Sequence, residues 1–527
     1  MNIWEKFKKS GFLNVVLTFL CFVFIGCLSG LYIKNDIVYT YLFLAGYCVL
    51  AMLFAFYAEK QGANRLMVVI ISFLIATGVL VQNVIAPINP DISSLDDWVS
   101  KQFKIAMFAI AFIAVYMVGR YIILKKSKEL WVALVGLAAI GVLAICCILP
   151  ETRGAKNWIS IGGMSLQLTE FVKFFGVVFM GELILLEVSD WLKFTYMTLF
   201  MAVCAFILMV VVSEMGTLII LALVYLVLVL NYIRIPLLKV IVSLGVILFI
   251  VVFALCFRAI DSVTCQWDCI NGCQETIKVE KLDEKGNPLK DSDGNIIYDS
   301  ITRTKIISGI ECPDCSEKGI DTRRYYKDPT YTCQRCYYKK YDGTTPDKCP
   351  ICSENAILRS KFGGAASKLY QRFAVFLSYD KCSEEDFAVQ VKTGLKAAKL
   401  GGWFGADDDN RVAVILPHND SVVVAIANRM GMIWVFIILI CYYALFLSVR
   451  FLRSPVKVAV ILALFVQMVV TYAGNFNFFA RTGIGVPFIS SGGTIYAVSL
   501  AFVYVLFTRD ERFMREKIEI KEGKKDE

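Results

Sequence analysis

The chain has 527 residues, of which 57% are apolar and 19% charged, and its net charge is +9. That balance excludes a water-soluble globular protein of this length: so much apolar surface needs the bilayer as solvent, and there a backbone crosses only as helices of about 20 apolar residues. The positive excess belongs to membrane topology and anionic lipid, so no nucleic-acid partner is expected.

Apolar runs lie near 12–33, 38–58, 66–87, 104–124 and 130–150, then 169–187, 191–212, 216–232 and 236–257, and finally 430–449, 456–476 and 488–507. The fold class read from them is an all-α polytopic membrane protein of about twelve transmembrane helices. The first run follows Lys6, Lys8 and Lys9, is longer than a signal-peptide core and lacks a small-residue cleavage site, so it reads as a retained anchor. Basic residues alternate between loops. Lys60 with Arg65, Arg120 with Lys125, Lys126 and Lys128, Lys193, Arg234 with Lys239, and Arg450 with Arg453 and Lys457 belong with both termini on the cytoplasmic side. The opposite loops, and everything from Arg258 to Asp420, are expected outside the plasma membrane. The domain order is then five N-terminal spans over 1–150, core spans and motif loops over 151–257, a cysteine-rich insertion over 258–365, an outer loop over 366–429, C-terminal spans over 430–507 and a cytoplasmic tail over 508–527.

The first polar outer stretch runs from Arg153 to Gly163 and carries Lys156, Asn157 and Trp158, a tryptophan suited to lying along the membrane surface. Glu170 and Lys173 follow inside an apolar run, spaced to share one helix face. Ionisable groups there are costly and mark either a structural ion pair or a substrate cavity. Ser213-Glu214-Met215-Gly216-Thr217 makes an acidic turn between two spans.

Ten of the 18 cysteines lie between Arg258 and Asp420, nine of them in the insertion and Cys382 after it. Residues 278–305 alternate apolar and polar positions around two turn signals, Gly286-Asn287-Pro288 and Asp293-Gly294-Asn295, as a small hairpin does. The pairs Cys333/Cys336 and Cys349/Cys352, twelve residues apart, have the spacing of a zinc ribbon, and Cys312/Cys315 forms a third pair. The insertion is thus expected to be a small mixed α/β domain with structural zinc, with disulfides as the alternative in an oxidising exterior.

Beyond it, Gly401-Gly402-Trp403-Phe404-Gly405 precedes Asp407, Asp408 and Asp409, which read as a site for a divalent cation (Mg or Mn) or as a solvated loop. Pro417-His418-Asn419-Asp420 then enters an apolar run. A carboxylate at that boundary is partly desolvated and becomes a better proton acceptor near neutrality. The last outer stretch, Pro487 to Thr494, contains Ser490, Ser491, Gly492 and Gly493, where a backbone or head group can approach closely.

In order, these stretches resemble the SEDS family (shape, elongation, division and sporulation), whose RodA, FtsW and SpoVE members build bacterial peptidoglycan. The family's GAxRW…G…QPSEFxK looks like Gly154 to Trp158 and Gln167 to Lys173, its PDxGT like Ser213 to Thr217, its HTDFIF…EELG like His418 to Gly431, and its TGxxLPFxSxGG like Thr482 to Gly493. This sequence departs from the pattern at Asn157 (arginine in the family), Leu168-Thr169 (Pro-Ser), Glu214 (aspartate), Ser421 (phenylalanine) and Asn428-Arg429 (Glu-Glu). Two N-terminal spans and the insertion are additions to the family's ten-span plan. The resemblance implies a glycosyltransferase that polymerises lipid II at the outer face for division, elongation or sporulation. It also implies a class B penicillin-binding protein transpeptidase as partner, alongside membrane lipid, and Asp420 as the catalytic base. Lys156, Trp158, Glu170, Lys173, Glu214, Arg372, His418, Ser490, Gly492 and Gly493 are the expected substrate-binding positions, with Arg372 on the diphosphate. A lipid II flippase or transporter, or an inactive scaffold of a cell-wall complex, are the alternatives.

Overall fold

The structure is a computed structural model. It describes residues 12–33, 37–85, 95–150, 156–161, 164–212 and 214–237, scattered positions from 239 to 245, short strands between 266 and 340, residue 376, and 389–407, 411, 412 and 414–508. The chain divides into two compact units, residues 1–248 with 394–527, and residues 249–393.

The first unit is helical. In chain order it holds α1 (Phe12–Tyr32), α2 (Ile37–Lys60), α3 (Arg65–Ile85), α4 (Leu95–Leu124), α5 (Lys128–Ile148), a hairpin of β1 (Trp158–Ile161) and β2 (Met164–Gln167), α6 (Leu168–Ile184), α7 (Asp190–Phe206) and α8 (Met215–Tyr232). After α9 (Val389–Gly401), which enters it from the second unit, come α10 (Val422–Met430), α11 (Met432–Leu447), α12 (Pro455–Asn475) and α13 (Gly493–Phe507). Among the described residues nine helices are long and apolar enough to cross a membrane. The chain is a multi-pass membrane protein. α6 and α13 account for two more of the twelve expected runs. α6 is shorter, about 25 Å at the α-helical rise, and carries Glu170, Lys173 and Glu182. The run at 236–257 lies almost wholly outside the described residues.

Local sequence sets the helix ends. Ser127 caps α5 by accepting the Leu130 N–H at 3.1 Å, and Ser189 caps α7 through Leu192 at 3.4 Å. Pro455 starts α12, where its missing N–H has no partner to lose. α7 ends in a π-helical turn, Ile207–Val212, whose wider winding leads directly to Glu214.

α3 and α12 form the inner layer, with most of their residues buried, while α4 buries few of its own. α6 packs on α5, α8 and α12, and α13 on α4, α6 and α12. The outward faces of α1 and α4 present Phe19, Phe24, Val115 and Val118, each exposed. Such a continuous apolar surface suits lipid rather than water. The α1–α2 pair is fastened to the rest by polar contacts as well as packing: Thr18 to Ser72 at 3.0 Å, Arg65 to Asn14 at 3.1 Å and Trp434 to the Tyr32 hydroxyl at 2.7 Å.

The second unit contains short antiparallel strands. β3 (Gln266–Asp268) pairs with β6 (Ile306–Ser308), β4 (Gln274–Glu280) with β5 (Tyr298–Thr304), and β7 (Tyr331–Thr332) with β8 (Lys339–Lys340). The expected hairpin is therefore present as β4–β5, in the register Glu280 to Tyr298 and Gln274 to Thr304. Its turn signals, the nine cysteines of the insertion and Cys382 lie outside the described residues.

Two expected boundaries move. The run at 430–449 is preceded by a separate helix, α10, and the break falls at Gly431, whose φ of 94° suits glycine. A Cβ there would also lie 2.1 Å from the Trp403 carbonyl oxygen. The last span begins at Gly493 rather than Phe488, because Phe488 sits in a left-handed conformation (φ 62°) that no helix accommodates.

Candidate functional site

Four separate stretches of sequence meet at one end of the helical unit: the β1–β2 hairpin, the turn at Glu214, the turn Leu416–Ser421, and the loop Arg481–Gly492. The first two join through Glu214. Its carboxylate, 5% exposed, accepts from Asn157 at 2.7 Å, from the Thr217 hydroxyl at 2.8 Å and from Gln167 at 3.5 Å. A buried carboxylate needs such donors to hold its charge away from water. The Gln167 N–H in turn donates to the Thr494 hydroxyl at 2.8 Å, tying the hairpin to the start of α13.

The second junction is the ion pair of Glu170 and Lys173, each 1% exposed, on one face of α6 as their spacing requires. Lys173 also donates to the Gln467 side-chain oxygen at 2.5 Å, and Gln467 donates through Nε2 to the Gly485 carbonyl at 2.9 Å. One turn further along α12, the Thr471 hydroxyl reaches the Ile484 carbonyl at 3.1 Å. A further turn on, Asn475 donates to the Asp420 backbone carbonyl at 2.8 Å. Gln467, Thr471 and Asn475 are thus a polar rail on one helix face that fixes the loop on one side and the Asp420 turn on the other.

That loop and that turn hold each other. The Ser490 hydroxyl, fully buried, donates to the Asn419 carbonyl at 3.1 Å and accepts from the Val486 N–H at 2.9 Å. The Ser491 N–H donates to the His418 carbonyl at 2.9 Å. Gln82 on α3 donates to the Ile489 carbonyl at 2.5 Å, and the Tyr442 hydroxyl on α11 donates to Pro487. α3 comes this close because residue 78 is glycine: a Cβ there would stand 2.0 Å from the Phe488 carbonyl oxygen. A pocket lined by Phe43, Tyr47, Gln82, Gln102, Ser491 and Tyr496 opens beside the loop.

On the turn itself, His418 and Asp420 are half-buried while Asn419 and Ser421 are buried. Ser421 occupies the N-cap position of α10 but makes no side-chain cap. Its hydroxyl donates instead to the Ile415 carbonyl and accepts from the Arg481 guanidinium. Leu416, with φ of 50°, bends the chain into this turn.

Of the expected binding positions, Glu170, Lys173, Glu214 and Ser490 are engaged by protein groups as described. Lys156 and Trp158 are half-buried at the start of the β1–β2 hairpin, with the Lys156 N–H donating to the Val212 carbonyl at 3.3 Å. Within the stretch Arg153 to Gly163, Trp158–Ile161 forms the first strand of this hairpin. Gly492 lies against Asn419, and Gly493 opens α13. Trp403, exposed, stacks on Phe436 with ring centroids 5.9 Å apart. Arg372, Asp408, Asp409, Cys312, Cys315, Cys333, Cys336, Cys349 and Cys352 lie outside the described residues. Among the described residues no group of three or more His, Cys, Asp or Glu side chains is arranged to hold a metal. The sequence reading passed over Gln82, Asn475 and Arg481, and it passed over Gln467 and Thr471. Polar residues at every fourth position of an otherwise apolar run, as at 467, 471 and 475, are the signal that marks such a rail.

The family model for FtsW, RodA and SpoVE, described as cell cycle protein, matches residues 64–276 and 355–512. α1 and α2 up to residue 63, and residues 277–354 of the insertion, fall outside that match. No curated protein matches the chain. Among solved structures, a chain of a peptidoglycan synthase complex, studied for its coordination of polymerization and crosslinking, is 14% identical, with 84% of this chain and 96% of that chain covered and a TM-score of 0.47. The rod shape determining protein RodA of Thermus thermophilus is 12% identical over the same shares, with a TM-score of 0.38.

Proposed function

The chain belongs to the SEDS family, that of FtsW, RodA and SpoVE, and from that premise we propose that it is a peptidoglycan glycosyltransferase polymerising lipid II at the outer face of the plasma membrane. The observation that carries this reading is that the other family-like stretches meet at the loop Arg481–Thr494, which in turn holds the turn that bears Asp420. Charge alternation along the chain supports an outer location for that end.

In the proposed reaction the Asp420 carboxylate takes the proton of an acceptor sugar hydroxyl. The freed oxygen lone pair forms a bond to the anomeric carbon of the lipid-linked donor, and the bond from that carbon to the diphosphate breaks, releasing polyprenyl diphosphate. A base within reach of the reacting hydroxyl is what general-base catalysis requires. The polar rail of α12 and the Ser490 loop hold the backbone of this turn, so the carboxylate is presented in one orientation. Lys156, Trp158 and His418 flank the site as substrate-binding positions, and Arg372 is proposed on the diphosphate. Among the described residues no cluster of ligands is arranged for the divalent cation, and Asp408 and Asp409 lie outside them. Structural zinc in the insertion and a class B penicillin-binding protein partner complete the proposal.

The decisive experiment is Asp420→Ala in the purified full chain incubated with lipid II, with and without a transpeptidase partner. Polymer should be lost in both. Unchanged polymer from the variant rejects the assignment. The buried Glu170/Lys173 pair favours one rival, a lipid II flippase, which predicts lipid movement indifferent to Asp420 and dependent on that pair.

A further inference from the structure

The pocket beside the loop Arg481–Gly492 contains polar atoms that no protein group satisfies. Gln82 has its orientation fixed: its Nε2 donates to the Ile489 carbonyl at 2.5 Å and faces the His418 carbonyl at 3.4 Å, so Oε1 is the atom left over. Among the described residues that buried oxygen accepts no hydrogen bond, and the buried Nε2 of Gln102 on α4 donates none. Both side chains line the pocket. An acceptor and a donor left bare in one cavity are each costly, and a hydroxyl, which gives and takes a hydrogen bond, answers both.

The walls narrow the class of ligand further. Phe43, Tyr47, Val79 and Tyr496 are among the lining residues, and no acidic or basic side chain of the described residues lines the pocket. A phosphate or ammonium group placed there would lose its water without gaining a counter-charge. Size acts in the same direction. The space is about 310 Å³, part of it continuous with the surroundings, and its enclosed part admits a group about the size of one water molecule. Tyr47 and Tyr496, edge to face with ring centroids 5.4 Å apart, join α2 to α13 at this wall. Leu42 and Phe103, next in sequence to the lining residues Phe43 and Gln102, are exposed apolar side chains of the kind that meet lipid. A hydroxyl can enter while the chain that carries it stays among them. Phe43 and Tyr47 belong to α2, outside the family match, so the matched region alone does not build this site.

We infer that α2 completes a site for the free hydroxyl of an uncharged lipid, a diacylglycerol or a long-chain alcohol, and that its occupancy stiffens the loop and the turn held by Gln82. The binding part does not depend on the glycosyltransferase reading. A donor on Oε1 polarises the Gln82 amide and strengthens what its Nε2 gives to Ile489 and His418.

The test uses the full chain in phosphatidylcholine nanodiscs labelled with a photoreactive diacylglycerol. Competitors are dioleoylglycerol, a polyprenyl alcohol, the acetate ester of dioleoylglycerol, which lacks the hydroxyl, and phosphatidic acid, which carries charge in its place. Labelling should map to α2 and α4, and one or both free alcohols should compete about tenfold better than the ester or the acid, the better of the two identifying the source. Gln102→Leu should weaken binding about tenfold, and Phe43→Trp, which fills the pocket by another route, should block it. Backbone amide exchange over residues 486–492 should slow several-fold with the alcohol bound, and not in Gln102→Leu. Equal competition by the ester, unchanged binding in both variants, or no saturable labelling overturns the inference and leaves the pocket to water. Exchange that ignores a bound alcohol overturns its link to the loop.

Discussion

Replacing Lys173 by methionine removes the cation from a pair in which both partners are 1% exposed. Glu170 is left without its counter-charge, and the Gln467 side-chain oxygen loses the donor 2.5 Å away. Leaving one member of a buried pair costs ~3–5 kcal/mol, because the remaining charge stays desolvated without its partner. The stranded amide oxygen adds about 1–3 kcal/mol. The loss should therefore be about 4–8 kcal/mol. Changing both residues, with Glu170→Gln and Lys173→Met together, removes both charges and should return more than half of it. Unfolding of purified protein in mixed micelles, followed by tryptophan fluorescence, gives the four corners of the cycle. A single-variant loss below about 1 kcal/mol, or strict additivity of the two substitutions, would refute the reading of Glu170 and Lys173 as a coupled buried pair.

The remaining predictions concern the same end of the molecule and the insertion. Gly78→Ala puts a methyl group 2.0 Å from the Phe488 carbonyl oxygen, so either α3 or the loop must shift. Overpacking of this kind costs about 1–3 kcal/mol, and thermal denaturation together with a polymerisation assay should show stability and activity falling together. Asn157→Leu removes the 2.7 Å donor to Glu214 and should destabilise by about 1–3 kcal/mol, whereas Asn157→Arg, the residue the family carries there, should be better tolerated. Elemental analysis of purified protein should find zinc, and its absence with every outer cysteine oxidised would rule out the zinc reading of the insertion. Asp420→Ala, set out above, should abolish polymer.

The helical architecture was legible because each span is an uninterrupted apolar run: α7 with its π turn covers Asp190–Val212 against an expected 191–212. The spacing of Glu170 and Lys173 likewise announced a shared face. Less legible were the places where apolar sequence is not helical. Pro487 to Ile489 reads as the start of a span, yet the chain there is a loop whose shape depends on Gln82, Gly78 and Tyr442, all distant in sequence. α10 was hidden for a related reason. Val422 to Ile426 is as apolar as the span that follows, and only the backbone angle of Gly431 separates them. The third junction, Ser421 with Arg481, is sixty positions apart in sequence, so no local pattern announces it.

Phe488 is where these constraints collide. Its side chain is fully enclosed, which asks for a large aromatic residue, while its backbone sits at φ 62°, which asks for glycine. Glycine would relieve about 1–3 kcal/mol of backbone strain but empty a ring-sized hole worth about 3–5 kcal/mol. β-branched residues would satisfy neither demand. A D-phenylalanine would suit the backbone, but its ring would leave Cα from the side the hydrogen now occupies, away from the enclosed pocket, so the position carries its strain for the sake of packing.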